Sequence, residues 1–69
     1  MTNRSDHAEL STLRSSLDES IERIVSVADR YRNTDESGVA GDLDGAERGL
    51  VSARRALDRA LRSLSDRPR

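Results

Sequence analysis

Cysteine is absent from this 69-residue sequence, and so are tryptophan, phenylalanine and lysine. Without cysteine the chain forms neither a disulfide nor a thiolate zinc site. No apolar run approaches the ~20 residues that cross a membrane, so we expect no membrane partner. The opening residues, MTNRSDHAEL, lack the apolar stretch of a signal peptide and favour a cytoplasmic location. A chain this short builds at most one small domain, over residues 1–69.

Residues for catalysis are equally scarce. His7 is the only histidine, and it has neither a cysteine nor a second histidine to complete a site. The serines occur in no nucleophile motif such as G-x-S-x-G or S-x-x-K. We therefore predict no catalytic residue, no cofactor, no small-molecule substrate and no enzymatic activity, and we interpret His7 as a solvated residue near a helix end.

Carboxylates cluster in the middle of the chain, where a calcium loop is worth testing. With Gly41 as the sixth loop residue, Glu36 is the first and Glu47 the twelfth, as in an EF-hand. Gly38 and Ala40 then occupy the third and fifth positions, and neither has a side-chain oxygen. We therefore predict no metal site and interpret the acidic residues as caps and dipole partners of a helix start.

Apolar residues in the first half recur at steps of three and four, which predicts an amphipathic α-helix. With Leu10 as heptad position a, Ile21 and Ala28 fall at e. Asp6 and Glu9 form a capping-box pattern, so the predicted helix runs from about 7 to 32, after a flexible tail at 1–5. The apolar series is Leu10, Leu13, Leu17, Ile21, Ile24, Val27, Ala28 and Tyr31.

The second half has a stricter heptad, with leucine at every a position and alanine at d. Pro68 ends the helix near residue 65 and leaves a tail at 66–69. Asp42 and Asp44 are possible caps, so we predict a helix over about 42–65, with a start anywhere in 38–44, after a connection at 33–41. Glycines at 38, 41, 45 and 49 argue against an early start. The series is Leu43, Leu50, Leu57 and Leu64 at a, and Ala46, Ala53 and Ala60 at d.

These two stripes predict an all-α protein, an antiparallel two-helix hairpin. Residues at e, such as Leu61, make both stripes wider than a single helix–helix seam. We therefore predict a non-enzymatic protein–protein interaction module that forms a four-helix bundle, either as a homodimer or with another protein. The predicted interface is Leu10, Leu13, Leu17, Ile21, Ile24, Leu43, Leu50, Ala53, Leu57, Ala60, Leu61 and Leu64.

The alternative prediction is a small nucleic-acid-binding regulator. Residues 33–47 carry a formal charge of -5 and residues 48–69 carry +5. Arg48, Arg55, Arg59 and Arg62 share the face opposite the leucines, where they could contact an anionic partner. A solvated face with an Asp58–Arg62 pair explains the same pattern.

In length and heptads the chain resembles ROP-type dimers of helical hairpins. That resemblance implies a four-helix bundle with RNA bound on one face, and it assigns no role to any single residue. Twelve arginines without a lysine are typical of coding sequences with high GC content, as in actinobacteria and their phages.

Overall fold

The protein, described by a computed structural model, is an antiparallel pair of α-helices. The structure describes the backbone of residues 2–66 and the side chains of residues 4–66. Helix α1 comprises Thr2–Tyr31 and α2 comprises Ser37–Ser65, which confirms the predicted hairpin. The molecule measures 57 × 15 × 11 Å. Neither helix within the described residues has the length of apolar sequence that a bilayer crossing needs.

Helix α1 begins about five residues earlier than predicted. Residues 2–5, expected as a tail, continue the helix, so the N-cap assigned to Asp6 is wrong. The segment contains neither glycine nor proline, and nothing in it forces the helix to stop. At the other end of the chain α2 closes at Ser65 as predicted, and the Asp66 amide donates to the Arg62 carbonyl at 2.9 Å. The rest of the predicted C-terminal tail, 67–69, lies outside the described residues.

Helix α2 also begins earlier than its predicted start near residue 42, at Ser37. The connection is therefore only residues 32–36, and the caps assigned to Asp42 and Asp44 are wrong. Ala40, only 2% exposed, explains the difference, because its burial in the hairpin requires the first turn of α2 to be formed. That packing outweighs the helix-weakening effect of Gly38 and Gly41.

The turn between the helices is organised by two polar residues. Asn33 has φ 62°, a left-handed conformation common just after a helix C-terminus. The Thr34 hydroxyl donates to the Tyr31 carbonyl at 2.6 Å and accepts from the Glu36 amide at 3.1 Å. One side chain thus satisfies a carbonyl at the end of α1 and an amide at the start of α2.

We expect Asn33→Ala to destabilise the hairpin by about 1 kcal/mol, because alanine tolerates the left-handed conformation less well than asparagine. Thermal unfolding followed by circular dichroism measures the change. Asn33→Gly is the matched control and should be as stable as the parent, since glycine adopts positive φ without steric cost. Equal melting temperatures for the two variants would mean that the turn does not require this conformation.

The seam between the helices is centred on heptad position e, with a on one side and b on the other. Three apolar residues of the described chain are buried, and all are at e: Ile21 (8% exposed), Ala28 (1%) and Ala40 (2%). The sequence had predicted a seam of a and d residues with e at its margin. The helices are rotated so that small side chains at 28 and 40 allow close approach.

Candidate interaction surface

Arginine–aspartate pairs link the two helices along the b side of the seam. Arg14 Nε lies 2.8 Å from Asp58 Oδ1, and Arg54 Nη1 lies 2.6 Å from Asp18 Oδ1. Arg14 also bonds Asp18 within α1, so the four side chains form one network. The sequence had predicted an Asp58–Arg62 pair instead. Asp58 reaches α1 because position b borders the seam.

A third interhelical ion pair lies near the turn. Arg32 donates to both carboxylate oxygens of Asp44, at 2.9 and 3.0 Å, and its Nε bonds Asp29 at 3.1 Å. Two parallel hydrogen bonds make this contact more directional than a single one. Asp44, predicted to cap α2, therefore ties α2 to the end of α1. Together these pairs cover the b side of the hairpin with charged groups.

The ion pairs lower the pKa values of two aspartate carboxyls. The hydrogen bond from Arg14 lowers the pKa of Asp58 below its ordinary value, and nearby Arg54 and Arg62 add to the effect. The hydrogen bond from Arg32 likewise lowers the pKa of Asp44, assisted by Arg32 and Arg48 as charges. Both carboxylates are therefore held in the ionised form that bridges the helices.

We expect acid to destabilise the hairpin. A carboxyl whose pKa is lower in the folded state stabilises the fold above its unfolded pKa, about 3.9 for aspartate, and loses that contribution as pH falls through the folded value. The melting temperature should therefore fall between about pH 4 and pH 2. Asp58→Asn should reduce this acid-dependent loss, whereas Glu19→Gln, at an exposed position, should leave it unchanged. Parallel acid profiles for both variants would exclude the role given to Asp58.

The opposite side of the hairpin is apolar and uncovered. We call it the open face; it bears the a residues, half-buried at the edge of the seam, and the d residues beyond them. Leu13 is 48% exposed and Val39 38%, and Ala46 and Ala53 are also exposed. The open face consists of Leu10, Leu13, Leu17, Ser20, Ile24, Val27 and Tyr31 in α1, and Val39, Leu43, Ala46, Leu50, Ala53, Leu57, Ala60 and Leu64 in α2.

A groove of about 680 Å³ marks the end of the open face far from the turn. Leu10 and Leu13 of α1 and Ala60 and Leu64 of α2 line it, with Asp6, Glu9 and Ser63 at its rim. The two helices thus contribute a and d side chains to one continuous surface. At the turn half of α1, Val27 shares a shallow depression with Arg23 and Arg30. The α1 edge of the open face is therefore charged.

The predicted interface residues divide between this face and the seam. Most of them are a and d residues of the open face. Ile21 and Leu61 are at e, which faces the other helix, so they stabilise the hairpin itself. Sequence reasoning also missed Val25 and Val51, both half-buried at b, and all of the interhelical ion pairs. Placing Arg14 and Asp18 at e and b beside the seam would have indicated those pairs.

The predicted arginine face is exposed in full, at Arg48, Arg55, Arg59 and Arg62. It lies on α2 away from the open face. Two of the four charges have a carboxylate nearby. The pKa of Asp44 is lowered mainly by its hydrogen bond from Arg32 and that of Asp58 by its hydrogen bond from Arg14, and the charges of Arg48 and Arg62 add smaller contributions. The face is therefore less basic in the folded protein than the arginine count indicates.

His7 lies half-buried where the free ends of the helices meet. Its Nε2 is 3.1 Å from the Ser65 hydroxyl, so the side chain joins α1 to the end of α2. Within residues 4–66, no three carboxylate or histidine side chains converge as a metal site would require. His7 contributes a contact between the helix ends.

Comparison with known proteins returns no match. No family model matches the sequence, and neither a curated protein nor a solved structure is significantly similar to it.

Proposed function

We propose that this protein is a non-enzymatic protein–protein interaction module that acts as a homodimer. Two hairpins would bury their open faces against each other and form an antiparallel four-helix bundle. The observation that supports the proposal is a difference between the two sides of the seam. Ion pairs cover the b side, whereas apolar a and d residues remain uncovered on the other.

The hairpin exposes more surface than a compact chain of its mass. The hairpin exposes 5261 Å², whereas a compact monomer of its mass, 7.6 kDa, exposes about 4,300 Å². The excess of about 1,000 Å² is spread over the whole elongated chain, and it is large enough for one face to bury the ~800 Å² that each partner buries in a typical stable complex. The radius of gyration, 16.0 Å, also exceeds the ~11 Å of a compact chain of this length.

The hairpin has too little buried apolar surface to be stable alone. Of the described residues only Ile21, Ala28 and Ala40 are buried, and two of these are alanines. Burial of a leucine or isoleucine side chain contributes about 1.5–3 kcal/mol, while each ordered residue costs about 1.5 kcal/mol of conformational entropy. A second copy would bury the leucines at a and supply the missing core.

Sedimentation equilibrium at micromolar concentration, combined with circular dichroism, tests the homodimer. We expect twice the 7.6 kDa chain mass, and helicity that falls on dilution as the dimer dissociates. A fully helical monomer at high concentration would refute the proposal. A poorly helical monomer would also refute it and would favour a different protein as the partner that completes the bundle.

Nucleic-acid binding through the arginine face stays a prediction, as the alternative to the homodimer. It requires affinity that decreases steeply with salt and weakens in Arg55→Ala and Arg59→Ala. These positions lie outside the open face, so the two activities can be measured independently. Absence of RNA and DNA binding at low salt would exclude it without affecting the homodimer.

A further inference from the structure

We propose that the two hairpins of the dimer lie with their turns at opposite ends, α1 against α1 and α2 against α2 of the second copy. This inference rests on the proposed homodimer and adds its arrangement. Because the seam uses e and b and only one side of the a residues, the second hairpin meets the d residues and the exposed sides of the a residues, with g at the rim. Two stacked hairpins can have their turns either at the same end or at opposite ends, and the charges of this chain distinguish the two.

Charge is distributed unevenly along the hairpin. The turn half, residues 20–53, carries a formal charge of -3. The described residues of the other half, 4–19 and 54–66, carry six arginines and six carboxylates and are neutral overall. Turns at the same end would stack two acidic halves, whereas turns at opposite ends place each acidic half against a neutral one. Electrostatic repulsion therefore favours opposite ends.

The g residues of α1, which form the outer rim of the open face, support the same arrangement. Glu9 borders the groove at the free end of the open face, and Arg30 borders Val27 near the turn. Both are exposed g residues without an ion pair in the described hairpin. When two α1 helices run antiparallel about an axis near Ser20, Glu9 of each copy stands opposite Arg30 of the other. The result is two rim ion pairs related by symmetry.

The same twofold axis also brings small residues of the two α2 helices together. Because Asp18 pairs with Arg54, the level of Ser20 in α1 corresponds closely to Ala53 in α2. A twofold axis at this level places Ala53 beside Ala53 of the second copy, and Gly49 opposite its Ala56. Adding a Cβ to Gly49 would meet no atom of the hairpin within 4 Å, so its open side faces outward. Small residues along this edge permit the close approach that two adjacent α2 helices need.

A spin label at the turn measures the arrangement directly. The chain has no cysteine, so Asp35→Cys provides a single labelling position in the exposed turn. At 1.5 Å per residue from the axis, turns at opposite ends put the labels about 45 Å apart, and turns at the same end put them within about 25 Å. A dimer with the short distance overturns the arrangement and leaves the homodimer intact. A monomer in sedimentation overturns both.

Charge reversal at the rim is an independent test. Glu9→Arg and Arg30→Glu should each weaken dimerisation by about three- to tenfold, because each places like charges in contact, and the double variant should restore it. Glu19→Arg, an equal change of charge away from the rim, should have no such effect. With turns at the same end, Arg30 would instead face Asp42 of the second copy. Glu9→Arg would then be harmless and the double variant would not recover, which would overturn the proposal.

Discussion

Ala53→Glu is expected to convert the dimer into a monomer. Ala53 is exposed in the hairpin, so the substitution removes no contact of the intramolecular seam. In the dimer it would lie at the centre of the buried surface, where an unpaired carboxylate costs at least about 3 kcal/mol. That cost weakens association by about 100-fold or more. Sedimentation equilibrium of the variant at the concentration used for the parent measures the loss.

Ser52→Glu is the matched control. It adds the same side chain one residue away, on the part of α2 that lies beside Arg48 and Arg55. That surface is away from the open face, so we expect the dimer to persist with unchanged mass. If Ala53→Glu sediments as a dimer like its control, then the open face is not the interface. If both variants become monomers, the added charge itself is responsible.

The heptads predicted the hairpin but not the rotation of its helices. Apolar residues at a, d and e form one stripe on each helix, and periodicity alone does not show which part faces the neighbouring helix. In the structure the small residues at e, Ala28 and Ala40, are the most buried of the described residues, and the larger Leu13 at d is left exposed. Small side chains alone do not decide between these alternatives, because α2 also has alanine at d. The ion pairs Arg14–Asp58 and Arg54–Asp18 join positions e and b, so they form only when e faces the other helix.

The polar contacts across the seam could not be predicted from the sequence either. Arg14 and Asp58 are 44 residues apart, and their pairing depends on the register of the two helices. The early start of α2 has a similar origin, since local propensity at Gly38 and Gly41 opposes the helix that burial of Ala40 requires. Tertiary packing thus overrides local propensity at the start of α2.

Ala28→Leu should lower the stability of the hairpin by overpacking the seam. Ala28 is 1% exposed at the centre of the seam, so a larger side chain must push the helices apart. Overpacking of this kind typically costs about 1–3 kcal/mol, or at least about 4 °C in melting temperature for a domain of this size. It would also lengthen or break the nearby contact between Arg32 and Asp44. Circular dichroism at fixed protein concentration measures the shift.

Ala8→Leu separates overpacking from any general effect of an added leucine. Ala8 is exposed at position f of the same helix, away from both the seam and the open face, and the two residues have similar helix propensity. We expect Ala8→Leu to melt within about 4 °C of the parent, since surface substitutions change stability by less than about 0.5 kcal/mol. A parent-like melting temperature for Ala28→Leu would mean that e does not face the other helix. The open face would then include e, and the a and d residues would return to the seam where the sequence alone had placed them.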